Sequence, residues 1–234
     1  MNFTLAITTR NRIDHLKDSL PYHASFSEID EIVVNDDVSN DYNEIQKLNI
    51  PKVKCFKNET NLGVFRNKLK TACLSSNNWT ILLDSDNRLT QKYIDTLNNI
   101  NLDENVVYCP TFAMPELNYE LLNDTWIDKN NFIQYLTTKR VCEAAFNTCN
   151  FVLSKKVATC LKEEAEKYIQ KNNEIPTAYD SIVINYLILK NNFKLFFPKN
   201  MHYDHACHAG SYYIESIKKS KSLSQVITTL DFKD

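Results

Sequence analysis

The stretch Ile81-Leu82-Leu83-Asp84-Ser85-Asp86-Asn87 decides how this chain reads. Three aliphatic residues form a short apolar run of the kind that makes a buried strand, and the run stops at Asp84-Ser85-Asp86. Two carboxylates one residue apart at a strand end can meet one divalent cation and the ligand it carries. Hard oxygen donors suit magnesium (Mg2+) or manganese (Mn2+), which keep part of their water shell and bridge diphosphate oxygens. The same residues are also good turn formers. What favours a site over a turn is the company they keep upstream.

Working outward from Asp84, the preceding residues repeat one pattern. A β-run at Phe3 to Thr8 leads into Arg10-Asn11-Arg12, and a second at Glu31 to Val34 ends at Asn35-Asp36-Asp37. Val53 to Phe56 and Trp79 to Leu83 read as two more strands. Between them lie helical spacings at Ile13 to Leu20, Tyr42 to Leu48 and Leu62 to Leu74, the first expected to stop at Pro21. Strands alternating with helices predict an α/β fold with a mostly parallel sheet and right-handed crossovers. Ligands bind outside the carboxyl ends of such strands. Thr8 to Arg12, Asp36-Asp37 and Asp84 to Asp86 should therefore converge on one edge of the sheet.

The second half is less regular. Thr90 fits as a cap for a helix to Leu97, Val106 to Pro110 reads as a strand, and Phe112 to Asn131 reads mostly as loop. Phe146 to Leu153 is β-like. Ser154 caps a helix running to about Lys171, with Val157, Leu161, Ala165 and Tyr168 inward. Thr177 to Leu189 reads as a helix, Lys194 to Phe197 as a strand, and the tail from Tyr212 as helical. No linker divides the chain. It is expected to be a single domain over 1–234, with a ligand-binding half to about Asn99 and a second half from about residue 100.

Composition sets bounds on function. At 234 residues, with 43% hydrophobic and 24% charged residues, the chain can bury one sizeable core. A formal net charge of -2 gives no sign of a nucleic-acid partner. The amino-terminal apolar run is too short for a signal peptide or a membrane span, so no transmembrane segment is expected. Seven cysteines, an odd number without Cys-x-x-Cys spacing, point to a reducing compartment and a cytoplasmic location. The Asn-x-Thr triplets at Asn2, Asn58, Asn78 and Asn123 then read as chance matches in an Asn-rich chain. Only two glycines occur, Gly63 and Gly210, so Asn and Asp must serve most left-handed turns.

The stretch from Phe3 to Asn87 resembles the nucleotide-binding half of GT-A glycosyltransferases, especially glycosyltransferase family two. The resemblance rests on TTRNR (Thr8 to Arg12), Asp36-Asp37-Val38-Ser39, NLGVFRN (Asn61 to Asn67) and the Asp-x-Asp of Asp84 and Asp86, in the family's order. Beyond about Asn99 only fragments can be followed, and the spacing from Gly63 to Arg66 is shorter than is usual in the family. The resemblance implies that Thr8, Arg10 and Arg12 line the base and ribose pocket. It implies that Asp37 or Asp36 accepts the imide N–H of a uracil or thymine ring. Gly63 would let the backbone approach the nucleotide, Arg66 would sit near base or phosphate, and Asp84 and Ser85 would adjoin the ribose. Asp86 would hold the metal.

In the second half, the family places a carboxylate near the start of a late helix as general base. Asp180, in Tyr179-Asp180-Ser181, occupies that place without the preceding Glu that is common there, and Glu143 is the fallback. Phe146 to Ser154 resembles the acceptor-side strand. The run HYDHACHAGS, His202 to Ser211, supports three readings: a zinc site, a polar loop with packed histidines, or the family's terminal His-x-x-Ser, in which His208 completes the metal shell. The implied activity is transfer from a nucleotide diphosphate sugar, with a uridine diphosphate sugar first, to a glycan, lipid-linked or protein-linked hydroxyl. It needs Mn2+ or Mg2+ and inverts the anomeric centre. The rivals are a GT-A module that binds without turnover and a nucleotidyltransferase on a related sheet.

Overall fold

The computed structural model describes residues 2–136, 146, 149–206, 217 and 221–230. The amino-terminal half alternates strand and helix: β1 (Phe3–Thr9), α1 (Ile13–Ala24), β2 (Ile29–Asp36), α2 (Tyr42–Lys47), β3 (Val53–Lys57), α3 (Gly63–Cys73) and β4 (Trp79–Asp84). Then come β5 (Arg88–Leu89), α4 (Gln91–Asn98), β6 (Val106–Tyr108), β7 (Phe112–Met114), β8 (Leu117–Asn118), β9 (Thr125–Ile127) and α5 (Phe132–Leu136). The chain continues through β10 (Val152–Ser154), α6 (Lys155–Asn172), α7 (Asp180–Lys190), β11 (Lys194–Phe197), β12 (His202–Asp204) and α8 (Leu223–Thr228).

An eight-stranded sheet in the order β3-β2-β1-β4-β10-β6-β11-β9 forms the centre, and β5-β12-β7-β8 form a second sheet. The first four strands of the large sheet are mutually parallel, as the alternation requires. The second half departs from that pattern. β10 runs antiparallel to both β4 and β6, and β9 runs antiparallel to β11. β1 lies between β2 and β4, and every one of its residues is buried. The register then sets Thr8 beside Asn35 on one neighbour and Asp84 on the other. The polar strand ends therefore stand at one level.

Two local expectations are corrected. Helix α1 does not stop at Pro21 but carries it inside and continues to Ala24. Its last turn is held by tertiary bonds: the buried His23 accepts the Leu89 N–H through Nε2 at 3.1 Å, and the Tyr22 hydroxyl donates to the Leu89 carbonyl at 2.9 Å. These contacts offset the hydrogen bond that proline removes. The segment 112–131 is not mostly loop, because it holds β7, β8, a 3-10 turn (Glu120–Leu122) and β9. Strands of two or three residues are too short to show a period.

Other boundaries follow the sequence. Thr90 and Ser154 cap α4 and α6, accepting from the Tyr93 and Val157 amides at 3.2 Å each. Helix α7 begins at Asp180, not Thr177, and its residues through Leu189 are buried all round, as befits a helix inside the core. No helix among the described residues is long and apolar enough to cross a membrane.

Candidate active site

The site lies at the carboxyl ends of β1, β2 and β4, and its walls are built by hydrogen bonds between loops. After β1, Asn11 takes a positive φ of 53°. Its amide donates to Ser39 Oγ at 2.7 Å, and its side chain accepts the Asn40 amide at 3.0 Å. Thr8 is buried, Arg12 half-buried and Arg10 exposed. The β1 and β2 loops are thus tied into one rim.

Asp36 and Asp37 have separate tasks. Asp36 is fully buried and closes its own turn, accepting the Ser39 amide at 2.9 Å and the Ser39 hydroxyl. Between them Val38 is forced to a φ of 63°, in the left-handed region that a β-branched residue rarely enters. Asp37, 3% exposed, reaches the opposite way. It accepts Asn58 Nδ2 at 2.8 Å, the Leu62 amide at 2.8 Å and the Gly63 amide at 2.9 Å. A carboxylate at the amino end of α3 satisfies amides that have no partner within the helix and sits at the positive end of its dipole. Gly63 opens that helix with a φ of 75° and open space where a Cβ would point. Backbone conformation, not crowding, is what requires glycine here.

Helix α3 carries three further groups. Asn67 joins a buried amide cluster, receiving Asn35 Nδ2 at 2.7 Å and Asn58 Nδ2 at 2.8 Å. Arg66 makes a bidentate pair with Glu166 of α6, at 2.7 and 2.6 Å, which holds α3 against α6. Lys68, which the sequence did not single out, points inward with its side chain 6% exposed. Its Nζ stands 3.1 Å from Asp180 Oδ2 and 3.5 Å from Asp84 Oδ1. The carboxylate at the end of β4 and the one at the start of α7 are therefore brought to a single cation. The available signal was spacing: Lys68 follows Phe65 by three and precedes Ala72 by four, on the buried side of the helix.

The charges around Lys68 act on one another. Burial raises the Asp84 carboxyl above its ordinary range; Lys68 opposes this, Asp86 and Asp180 reinforce it, and His205 opposes it again. Burial alone would lower the Lys68 ammonium, but Asp180 and Asp84 outweigh it and hold the group well above the usual lysine value. Burial also pushes the nearby Cys149 thiol up to about 12, which makes it an inert packing group. The Asp84 amide donates to Asn150 Oδ1 at 3.0 Å, fixing the strand end, and Asn87 accepts the Ala206 amide at 3.2 Å. Ser85 is buried and Asp86 half-buried beside Asp84.

Of the histidine run, His202 is packed edge-on against Phe112 and lies 3.4 Å from Glu120, and burial lowers its pKa. His205 follows β12, its amide donating to the Met114 carbonyl at 2.8 Å. His208, Gly210 and Glu143 lie outside the described residues. Among the described residues no three His, Cys, Asp or Glu side chains are grouped to hold a metal ion.

No family model and no curated protein matches the sequence. Solved structures do match the fold. Residues 1–349 of S. aureus TarS in complex with UDP-GlcNAc superpose with a TM-score of 0.63 at 15% identity, over 92% of this chain and 61% of that one. The same fragment with UDP gives 0.59 at 15% identity, over 88% and 61%. S. aureus TarS itself gives 0.60 at 16% identity, over 99% and 40%. The chain thus spans less than two thirds of the length of each. TarS is a GT-A-type glycosyltransferase, and the chain has the GT-A fold.

Proposed function

We propose that the chain is a glycosyltransferase that moves a sugar from a nucleotide diphosphate sugar to a hydroxyl acceptor. The observation that carries this reading is the meeting of Asp84, from the donor-side strand end, with Asp180, from the start of α7, across Lys68. A donor lying along the strand ends would present its anomeric carbon toward Asp180. The complexes of TarS with UDP-GlcNAc and UDP support a uridine diphosphate sugar as the donor. The acceptor is taken to be a glycan, lipid-linked or protein-linked hydroxyl.

The reaction we infer is direct displacement. Asp180 takes the proton of the incoming hydroxyl, whose oxygen bonds the anomeric carbon as the bond to the diphosphate breaks and its electrons leave with the diphosphate. One base and no covalent intermediate would invert the anomeric configuration. Asp84 and Ser85 would orient the ribose, with Thr8, Arg10 and Arg12 along the base and ribose pocket. Asp37, besides capping α3, has lone-pair capacity left on Oδ2 to meet a base edge. The hard oxygens of Asp86, beside Asp84, would suit a manganese or magnesium ion, and His208 is our candidate further ligand. Such an ion would neutralise charge on the leaving diphosphate.

The test is release of UDP from UDP-GlcNAc by wild type and by Asp180→Asn, with and without manganese. The expected result is turnover in wild type and a loss of about a hundredfold or more in the variant, with UDP affinity nearly unchanged. Binding of UDP without turnover in any condition would reassign the chain as a binding module. An equal rate in the variant would remove Asp180 as the base and turn attention to Glu143.

A further inference from the structure

We propose that Lys68 is the positioning residue of this site, holding the proton acceptor Asp180 and the donor-side Asp84 in fixed register through one buried ammonium group. The inference rests on the reading under Proposed function and deepens it. Lysine is almost never fully buried unless paired, since its charge must leave water. Here the Lys68 side chain is 6% exposed and that of Asp180 8%, and the pair is 3.1 Å apart. Burial on both sides removes the solvent screening that makes surface pairs weak.

The placement of the ammonium is set from several directions. Helix α3 is held at its amino end by Asp37, on its flank by the Arg66–Glu166 pair, and toward the sheet by Asn67. Asp84 is fixed through its amide by Asn150, and Asp180 is the first residue of α7. Lys68 engages Oδ1 of Asp84 and Oδ2 of Asp180. Each carboxylate then has a second oxygen to offer the reaction: Oδ2 of Asp84 to the donor, and Oδ1 of Asp180, which also receives the Ser181 hydroxyl at 3.5 Å, to the acceptor hydroxyl. An ordinary structural pair joins two residues; this cation joins the donor-binding and acceptor-binding halves of the chain at the point of reaction.

Without the ammonium, two like charges face each other in a partly dry site and push apart. A displacement of about 1 Å at a reacting group can cost on the order of a hundredfold in rate. Lys68 touches no reacting atom, and Asp84 stays anchored through its amide by Asn150, so removal of the ammonium acts chiefly on Asp180 and should cost little once Asp180 no longer serves as a base. It should also leave the nucleotide's own contacts in place.

The experiment compares wild type, Lys68→Met, Asp180→Asn and the double variant in UDP-GlcNAc hydrolysis. Alongside it go UDP affinity by calorimetry and thermal midpoints. The expected result is a fall in kcat of at least tenfold for Lys68→Met, with UDP affinity within about threefold of wild type. In the Asp180→Asn background the same change should lower kcat by less than twofold. The double variant should melt higher than Lys68→Met, because it no longer buries an unpartnered Asp180. If Lys68→Met fails to fold, the double variant and Asp180→Asn still give the second comparison. Additive losses in kcat, a parallel collapse of UDP affinity, or wild-type kcat in Lys68→Met would each overturn the proposal. A wild-type chain that neither binds UDP nor turns over UDP-GlcNAc would refute the proposed function itself, and this inference with it.

Discussion

Asp37→Asn removes one charge and exchanges one oxygen for an amino group, with no change of size. Asp37 is 3% exposed and accepts from Asn58, Leu62 and Gly63. A hydrogen bond to a charged acceptor contributes about 1.5–3 kcal/mol and one to a neutral acceptor about 0.5–1.5. The Asn58 and Leu62 bonds, which keep an oxygen, should each weaken by about 1 kcal/mol. Gly63 loses its carboxylate oxygen and faces an amino group, but its amide also reaches Asn61 Oδ1 at 2.9 Å. That softens the third loss to about 1 kcal/mol. The total is about 3 kcal/mol, which for a domain of this size lowers the melting midpoint by about 6–12 °C. Circular dichroism melts at neutral pH measure it directly. A shift under about 2 °C would show that Asp37 is not the clamp on α3 and would refute the argument. UDP affinity, taken well below both midpoints, then reads any added contact with the base.

Three other substitutions probe separate links. Asp86→Ala should abolish UDP-GlcNAc turnover while the melting midpoint stays within about 2 °C, since a half-exposed strand-end carboxylate adds little to packing; wild-type activity should vanish in chelator and return with manganese, and full activity in chelator would remove the metal from the scheme. Arg66 and Glu166 are 31% and 48% exposed, so a double-mutant cycle should give a coupling below about 1 kcal/mol; a tenfold loss of UDP affinity in Arg66→Ala would return Arg66 to the nucleotide. Burial, with help from Arg88, lowers the pKa of His23 to about 3, so the folded state holds it neutral where the unfolded chain binds a proton. Its contribution is present above the ordinary value of 6.5 and is lost as pH falls from there toward about 3. His23→Gln should flatten the decline of urea midpoints between pH 7 and pH 4.5, and an unchanged slope would count against the buried neutral histidine.

The amino-terminal half of the fold reads most fully from sequence because its periods are regular, and the capped helices α4 and α6 of the second half read as well. Strands β1 to β4 and helices α1 to α3 were found because apolar runs and three-four spacings alternate there, and the polar residues at the strand ends placed the site. The antiparallel direction of β10 could not be read, since a buried strand carries no mark of its direction. Pro21 misled because the bonds from Tyr22 and His23 to Leu89 span more than sixty residues, beyond any local pattern. Lys68 escaped for a related reason. A lysine on a helix reads as solvated until the fold shows two carboxylates arriving at it from β4 and α7. Asp37 and Arg66 were read chiefly as ligand contacts, and the structure gives each a task within the protein: one caps α3, the other braces it against α6.

Val38 stands in a left-handed conformation directly after two buried aspartates, one bonded to Ser39 and the other across to α3. Such a conformation costs on the order of 1–3 kcal/mol and persists only where its surroundings over-determine it. The rim of the site is thus a spring already compressed when the chain folds. A ligand arriving there meets a surface that has no alternative shapes to give up, so little of its binding free energy goes into ordering the loop. The same tension makes Val38 an adjustable set-screw. Asn or Gly at this position would relax the turn, raising the stability of the whole chain while loosening its grip on whatever the rim is shaped to hold.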